Sequence, residues 1–244
     1  MRWLGEFFAI GMLWLFVFMV GMSASVVRAV VMCTLYVLAR WVSNDNAPIN
    51  VLSITAFMML IFQPLYLFDV GFQLSFMAMA SIFMIEPSLE NLFYIRSCPR
   101  AVSYFVSIVC MSLAAQLGTF PLSLHYFGTF PIYFLVTNLL VIPVLSIILL
   151  LVIVWWLFAL AGIPFAEPLA LFLQSLTHVL THCLACIAQW PGAVLHIDSF
   201  DSFSVLFVYL IILFMALYWI KKWPRSLIYA LASLLGLLVS LLLN

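Results

Sequence analysis

In a chain this apolar, every polar side chain inside a hydrophobic run is a candidate for chemistry, and four groups stand out. The first is Asp69-Val70-Gly71-Phe72-Gln73-Leu74-Ser75-Phe76. Asp69 stands at a corner, where its carboxylate can cap the helix that follows and meet that helix's positive end. Gly71 permits close approach, and Gln73 and Ser75 lie one turn in. Their structural use is to bond neighbouring helices together; their functional use is to line a hydrophilic path.

The second group is Gln116-Leu117-Gly118-Thr119-Phe120-Pro121, then His125-Tyr126-Phe127-Gly128, then Asn138 ahead of Pro143. Glycine and proline interrupt helices, and the backbone groups they free at membrane depth build transport sites in many carriers. A proline-kinked helix and a surface turn would use the same residues structurally. Asn138 could supply hydrogen bonds to such a broken backbone. The third group is Arg28, at the start of a helix near an interface. It is expected to snorkel into lipid headgroups, the other use being a cation facing a polyanionic substrate.

The fourth group is His178, His182 and Cys186, spaced four residues apart on one helical face, with Cys183 and Cys186 forming a C-x-x-C. Imidazole and thiolate are metal ligands. With no carboxylate nearby in the segment, imidazoles in a helix interface are the expected reading. Thioredoxin-type redox chemistry lacks its βαβ setting. Nucleotide, metalloprotease and serine-hydrolase motifs are missing from the sequence, which excludes ATP hydrolysis by this chain alone.

The elements that carry these residues must be membrane spans. The 244 residues are 68% hydrophobic and 7% charged, with a mean hydropathy of +1.31. Eight basic and eight acidic side chains cannot cover a water-soluble surface for that much apolar area. The zero net charge leaves no bulk attraction for nucleic acid, so any such preference is local. Five scattered cysteines do not make a disulfide framework.

A span needs about 20 mostly apolar residues. Spans are expected at 7–22, 26–42, 51–68, 70–85, 101–117, 144–161, 168–188, 203–220 and 227–243. The longest polar stretch is 86–100, and the pattern breaks over 118–143. The fold class expected is therefore all-α, a polytopic bundle of about nine crossings with a broken or re-entrant segment near 118–143. The positive charges favour a single crossing over 118–161. Arg2, Arg40, Arg96, Arg100, Lys221, Lys222 and Arg225 then share one side and only Arg28 takes the other. Basic residues of short loops collect in the cytoplasm, so the N-terminus is expected inside and the C-terminus outside.

Three blocks of residues resemble the membrane domain of ComEC-type competence proteins, the DNA-internalisation channels of transformable bacteria. They are Ser25-Val26-Val27-Arg28-Ala29 with Met32; Pro64 followed by Asp69 and Gly71-Phe72-Gln73-Leu74-Ser75-Phe76; and Ala114-Ala115-Gln116-Leu117-Gly118-Thr119-Phe120-Pro121 with Tyr126-Phe127-Gly128, Asn138-Leu139-Leu140 and Pro143. The likeness covers roughly 1–161; beyond it only the hydropathy matches. The resemblance implies a single transmembrane competence domain over 1–244 that passes single-stranded DNA through the cytoplasmic (inner) membrane during transformation, with no cofactor and no catalysis of its own. It also implies a DNA receptor and a cytoplasmic motor as partners, and a homo-oligomer. The N-terminal OB-like domain and the C-terminal metallo-β-lactamase-like nuclease domain of longer members are expected to be absent here.

A pore for single-stranded DNA needs polar contacts for phosphate and aromatic faces for bases. Arg28, Gln73, Gln116, His125 and Asn138 are the polar candidates, and Phe72, Phe76, Tyr126 and Phe127 supply π-faces; Asp69, Gly71, Ser75 and Pro121 complete the expected pathway set. Cations at depth are scarce, so phosphate would meet neutral donors and water, a weakly attractive lining suited to conduction. Two alternatives remain. One is a secondary transporter for a small solute using the broken region 118–143. The other is a membrane enzyme using the face of His178, His182 and Cys186.

Overall fold

The computed structural model describes residues 2–22, 24–42, 48–93, 99–162, 164–197, 201–221 and 223–243. In a hydrocarbon setting each backbone N–H and C=O must find a partner within the protein, which leaves helices as the natural state of long apolar runs. Nine α-helices occur among the described residues: α1 (Arg2–Met19), α2 (Ala24–Val42), α3 (Pro48–Phe62), α4 (Val70–Leu92), α5 (Arg100–Phe127), α6 (Phe134–Leu160), α7 (Ala166–Ala188), α8 (Ser202–Lys221) and α9 (Pro224–Leu243). The fold is all-α and membrane-like. Two three-residue strands, β1 (Thr129–Pro131) and β2 (Val194–His196), are a minor addition. Four helices are long and apolar enough to cross a bilayer by length and composition, α4, α6, α7 and, from Val102, α5; the rest carry shorter apolar stretches.

Helix α1 starts at Arg2, ahead of the expected 7–22, and boundaries differ more widely from the expected spans in three other places. The span at 51–68 is a helix ending at Phe62 and a 3-10 turn at Pro64–Phe68. The cause is Pro64, which disfavours helical geometry in the residue before it; Gln63 is extended, with φ −146° and ψ 91°. Helix α4 runs on through Pro87 to Leu92, so the first part of the polar stretch 86–100 is helical. There the Ser107 hydroxyl donates to Glu90 at 2.6 Å, joining α4 to α5.

The third difference narrows the broken segment expected near 118–143. Helix α5 continues through Gly118 and Pro121 to Phe127, and α6 begins at Phe134, ahead of Asn138 and Pro143. The interruption is confined to 128–133. Pro121 offers no N–H to the Leu117 carbonyl one turn back, and side-chain hydroxyls bond the carbonyls on either side of it. The Tyr209 hydroxyl of α8 donates to the Gly118 carbonyl at 2.8 Å. Thr119 Oγ1 donates to the Ala115 carbonyl at 3.1 Å. Gly128, at φ 62°, ends α5 in the left-handed conformation that glycine adopts without strain. The chain then pairs its backbone outside helices: β1 runs antiparallel to β2 with Thr129 opposite His196 and Pro131 opposite Val194.

Consecutive helices alternate in direction. Trp14 Nε1 meets Thr34 across α1 and α2 at 3.2 Å, Ser81 meets Ala114 across α4 and α5, and Ser204 meets Ser240 across α8 and α9. The alternation places Arg2, Arg40, Arg100, Lys221 and Arg225 at one end of the bundle by sequence position, and Arg28 at the other. Arg96 and Lys222 lie outside the described residues.

Small residues set the helix spacing, as membrane packing demands. A Cβ on Gly118 would stand 2.5 Å from Ser81 Cβ and 2.6 Å from the Met77 carbonyl oxygen, and one on Gly236 would enter the Phe207 ring. Large apolar side chains such as Phe8, Phe57, Leu150 and Leu235 point outwards, as a lipid-facing surface requires.

Candidate functional site

The end of the bundle opposite the basic cluster gathers the starts of α2 and α4 and the end of α5. Asp69 is extended, with φ −74° and ψ 120°, and its Oδ1 accepts the Phe72 N–H at 2.6 Å, capping α4 as the corner position predicts. The same oxygen accepts from Arg28 Nη1 at 3.2 Å. The two side chains are unequal in exposure, 7% for Arg28 and 45% for Asp69.

The expectation that Arg28 snorkels into headgroups is therefore corrected. A carboxylate held at the α4 N-terminus offers the guanidinium a closer partner than lipid does. Gly71 makes room for it, since a Cβ there would lie 3.1 Å from Arg28 Nη2 and 3.2 Å from Asp69 Oδ1. Arg28 Nε is buried and has no hydrogen-bond partner among the described residues.

Gln73 uses both ends of its amide. Its Nε2 donates to the Leu67 carbonyl at 2.8 Å, and its Oε1 accepts from the Tyr126 hydroxyl at 2.9 Å. The side chain thereby fastens the 3-10 turn to α4 and α4 to the last turn of α5. Beside it, Phe72 is buried between Tyr66, stacked at 6.3 Å between centroids, and Phe76 at 4.3 Å. His125 packs edge-on against Tyr126 at 5.1 Å, and Tyr126 and Phe127 are exposed. Arg28, Asp69, Gly71, Phe72, Gln73, Tyr126, His125 and Phe127 thus share one end of the bundle.

Ser75 adjoins this group but turns its hydroxyl back to the Gly71 carbonyl at 2.7 Å. The remaining expected pathway residues stand apart from it. Pro121 is fully buried within α5. Gln116 and Asn138 are half-buried, within α5 and the start of α6. On α7, His178, His182 and Cys186 are all exposed, with His182 Nε2 and Cys186 Sγ 3.9 Å apart. No group of three or more metal-ligating side chains occurs among the described residues.

Sequence reasoning missed Tyr66, which walls Phe72, and Tyr209, which donates to the Gly118 carbonyl in the turn before Pro121. The signal for Tyr209 was a lone phenol inside an apolar span, since a buried tyrosine hydroxyl needs a partner. A cavity of about 250 Å³ lies between α4, α5 and α8, apolar except for Ser81 and Tyr209. Another of about 550 Å³ lies between α1, α2 and α3, beside Trp14, Thr34 and Gln63. Gln73, Gln116 and Asn138 line neither.

Comparison with known proteins gives two findings. A family model described as "Competence protein" matches residues 2–222. ComE operon protein 3 of Bacillus subtilis (strain 168) is 28% identical over 129 residues, which are 53% of this chain and 16% of that protein. The match thus spans about a sixth of that relative's length. No solved structure matches the chain.

Proposed function

The chain belongs to the competence protein family, and from that premise we propose that it is the membrane channel or permease that passes single-stranded DNA into the cytoplasm during natural transformation. The observation that carries the reading is a convergence. The three blocks of residues that resemble the family are 41 residues apart between Arg28 and Asp69 and 53 apart between Gln73 and Tyr126. They meet at one end of the bundle through those two contacts. The exposed aromatic faces of Tyr126 and Phe127 beside the Gln73 amide suit the capture of a strand through its bases, while Arg28 and the α4 N-terminus are held by Asp69.

In this reading the arrangement is closed. With both ends of its amide occupied, Gln73 holds α4 against α5, and the two cavities described above stop short of it. Opening requires Tyr126 to leave Gln73, which frees an amide and a phenol for the strand at the same step. The basic end of the bundle faces the cytoplasm and the Arg28 end faces outwards, by the bias of short loops towards internal positive charge. The membrane is the bacterial inner membrane; the work of pulling falls to a cytoplasmic motor, and delivery to a DNA receptor. The small-solute alternative, a transporter using the region 118–143, would have to use the interruption at 128–133, since the chain on either side of it is continuous helix.

The test is uptake of labelled DNA in a transformable host whose own gene is replaced by a full-length version carrying this stretch. Gln73→Leu, Arg28→Ala and Gln116→Leu are expected to insert normally and to lower internalisation while leaving surface-bound DNA unchanged. Normal transformation by all three would overturn the pathway assignment.

A further inference from the structure

Helix α7 is amphipathic in a direction that nothing else in this chain explains. Leu173 and Ile187 are buried, and their side of the helix rests on α6, the helix with which α7 makes its extensive packing among the described residues. The opposite side carries Gln174, His178, His182 and Cys186, all exposed and spaced four residues apart. Polar side chains on a membrane helix face a protein partner or water, because lipid satisfies none of their hydrogen bonds.

The lower half of this stripe has metal-ligand geometry. His182 Nε2 and Cys186 Sγ stand 3.9 Å apart. Zn–N and Zn–S bonds of about 2.0 and 2.3 Å at a tetrahedral angle put N and S about 3.5 Å apart. A small rotamer adjustment therefore lets both atoms bind one ion. The pair lies in the last two turns of α7, just before Trp190, a residue type that anchors helices at the membrane surface, so an aqueous ion can reach it. One chain supplies only these two ligands, for no third metal-ligating group joins them among the described residues. A structural zinc takes four, and a two-fold axis doubles any set of two.

We propose that His182 and Cys186 form half of a zinc site, completed by the same pair from a second copy packed against the exposed face of α7. Each thiol loses its proton to water as its sulfur binds. Two thiolates then cancel the charge of one Zn²⁺, leaving a neutral centre that suits the edge of a bilayer. The inference is independent of DNA passage, and its test uses no DNA.

The experiment is zinc content and molar mass of the full chain in detergent micelles after dialysis against Zn²⁺. The expected result is about one zinc per two chains, in a dimer that a chelator dissociates. His182→Ala and Cys186→Ser should each lower bound zinc to background. Cys186→His, which keeps a ligand there, should retain zinc and the dimer, separating ligation from misfolding. One zinc per monomeric chain, zinc retained by both the alanine and the serine variants, or no zinc above that of a chain carrying both His182→Ala and Cys186→Ser would overturn the proposal.

Discussion

Replacing Asp69 with asparagine keeps a side-chain oxygen to cap α4 while removing the charge that faces Arg28. The magnitude follows from the unequal burial of the pair. Breaking a fully buried ion pair costs about 3–5 kcal/mol, and an exposed one about 0.2–1 kcal/mol. Arg28 is almost fully buried, and Asp69 is nearly half exposed and screened. An intermediate loss of about 2 kcal/mol is expected for Asp69→Asn. Asp69→Ala also leaves the Phe72 N–H uncapped and should lose about 1 kcal/mol more. The assay is reversible unfolding in mixed micelles by titration with a denaturing detergent, with Arg28→Leu and the double variant completing a cycle. A coupling energy below about 0.5 kcal/mol, or Asp69→Asn as stable as the parent, would refute the argument that the pair is a buried interaction.

Three further outcomes are expected. Gly118→Ala should destabilise the α4–α5 contact by about 1–3 kcal/mol, because its Cβ would collide with the Met77 carbonyl, which cannot swing aside; an unchanged midpoint in the same titration would contradict this packing. Tyr209→Phe should cost about 1–2 kcal/mol by removing the hydroxyl that serves the Gly118 carbonyl, read by the same midpoint and by faster amide exchange near Pro121. Reporter fusions after Arg100 and after Arg225 should signal the same compartment, the cytoplasm, and opposite compartments would break the orientation.

Much of the architecture was legible because it depends on local chemistry. Apolar runs gave the helices, and Asp69 at a corner gave the α4 cap, since capping involves residues only three apart. The Arg28 environment was not legible, because its partner lies 41 residues away and nothing within α2 announces it. The same limit explains why the expected break was too wide. Gly118 and Pro121 read as helix breakers by local rules, yet Tyr209, 91 residues on, stabilises that turn. The true interruption at 128–133 rests on pairing with 194–196, and three-residue strands leave no periodic signal. At the candidate site, the residue types on one helix were readable, whereas the Gln73–Tyr126 contact that brings two helices together needed the structure.

The central claim is that the strand enters at the end where α2, α4 and α5 meet. The most direct measurement is photo-crosslinking during uptake, with a photoreactive amino acid placed at Tyr126 in one strain and at Leu150 in another, both positions being exposed. Radiolabelled single-stranded DNA should attach at position 126 and not at the lipid-facing position 150. Equal attachment at both, or none at 126 while DNA still enters the cell, would contradict the account.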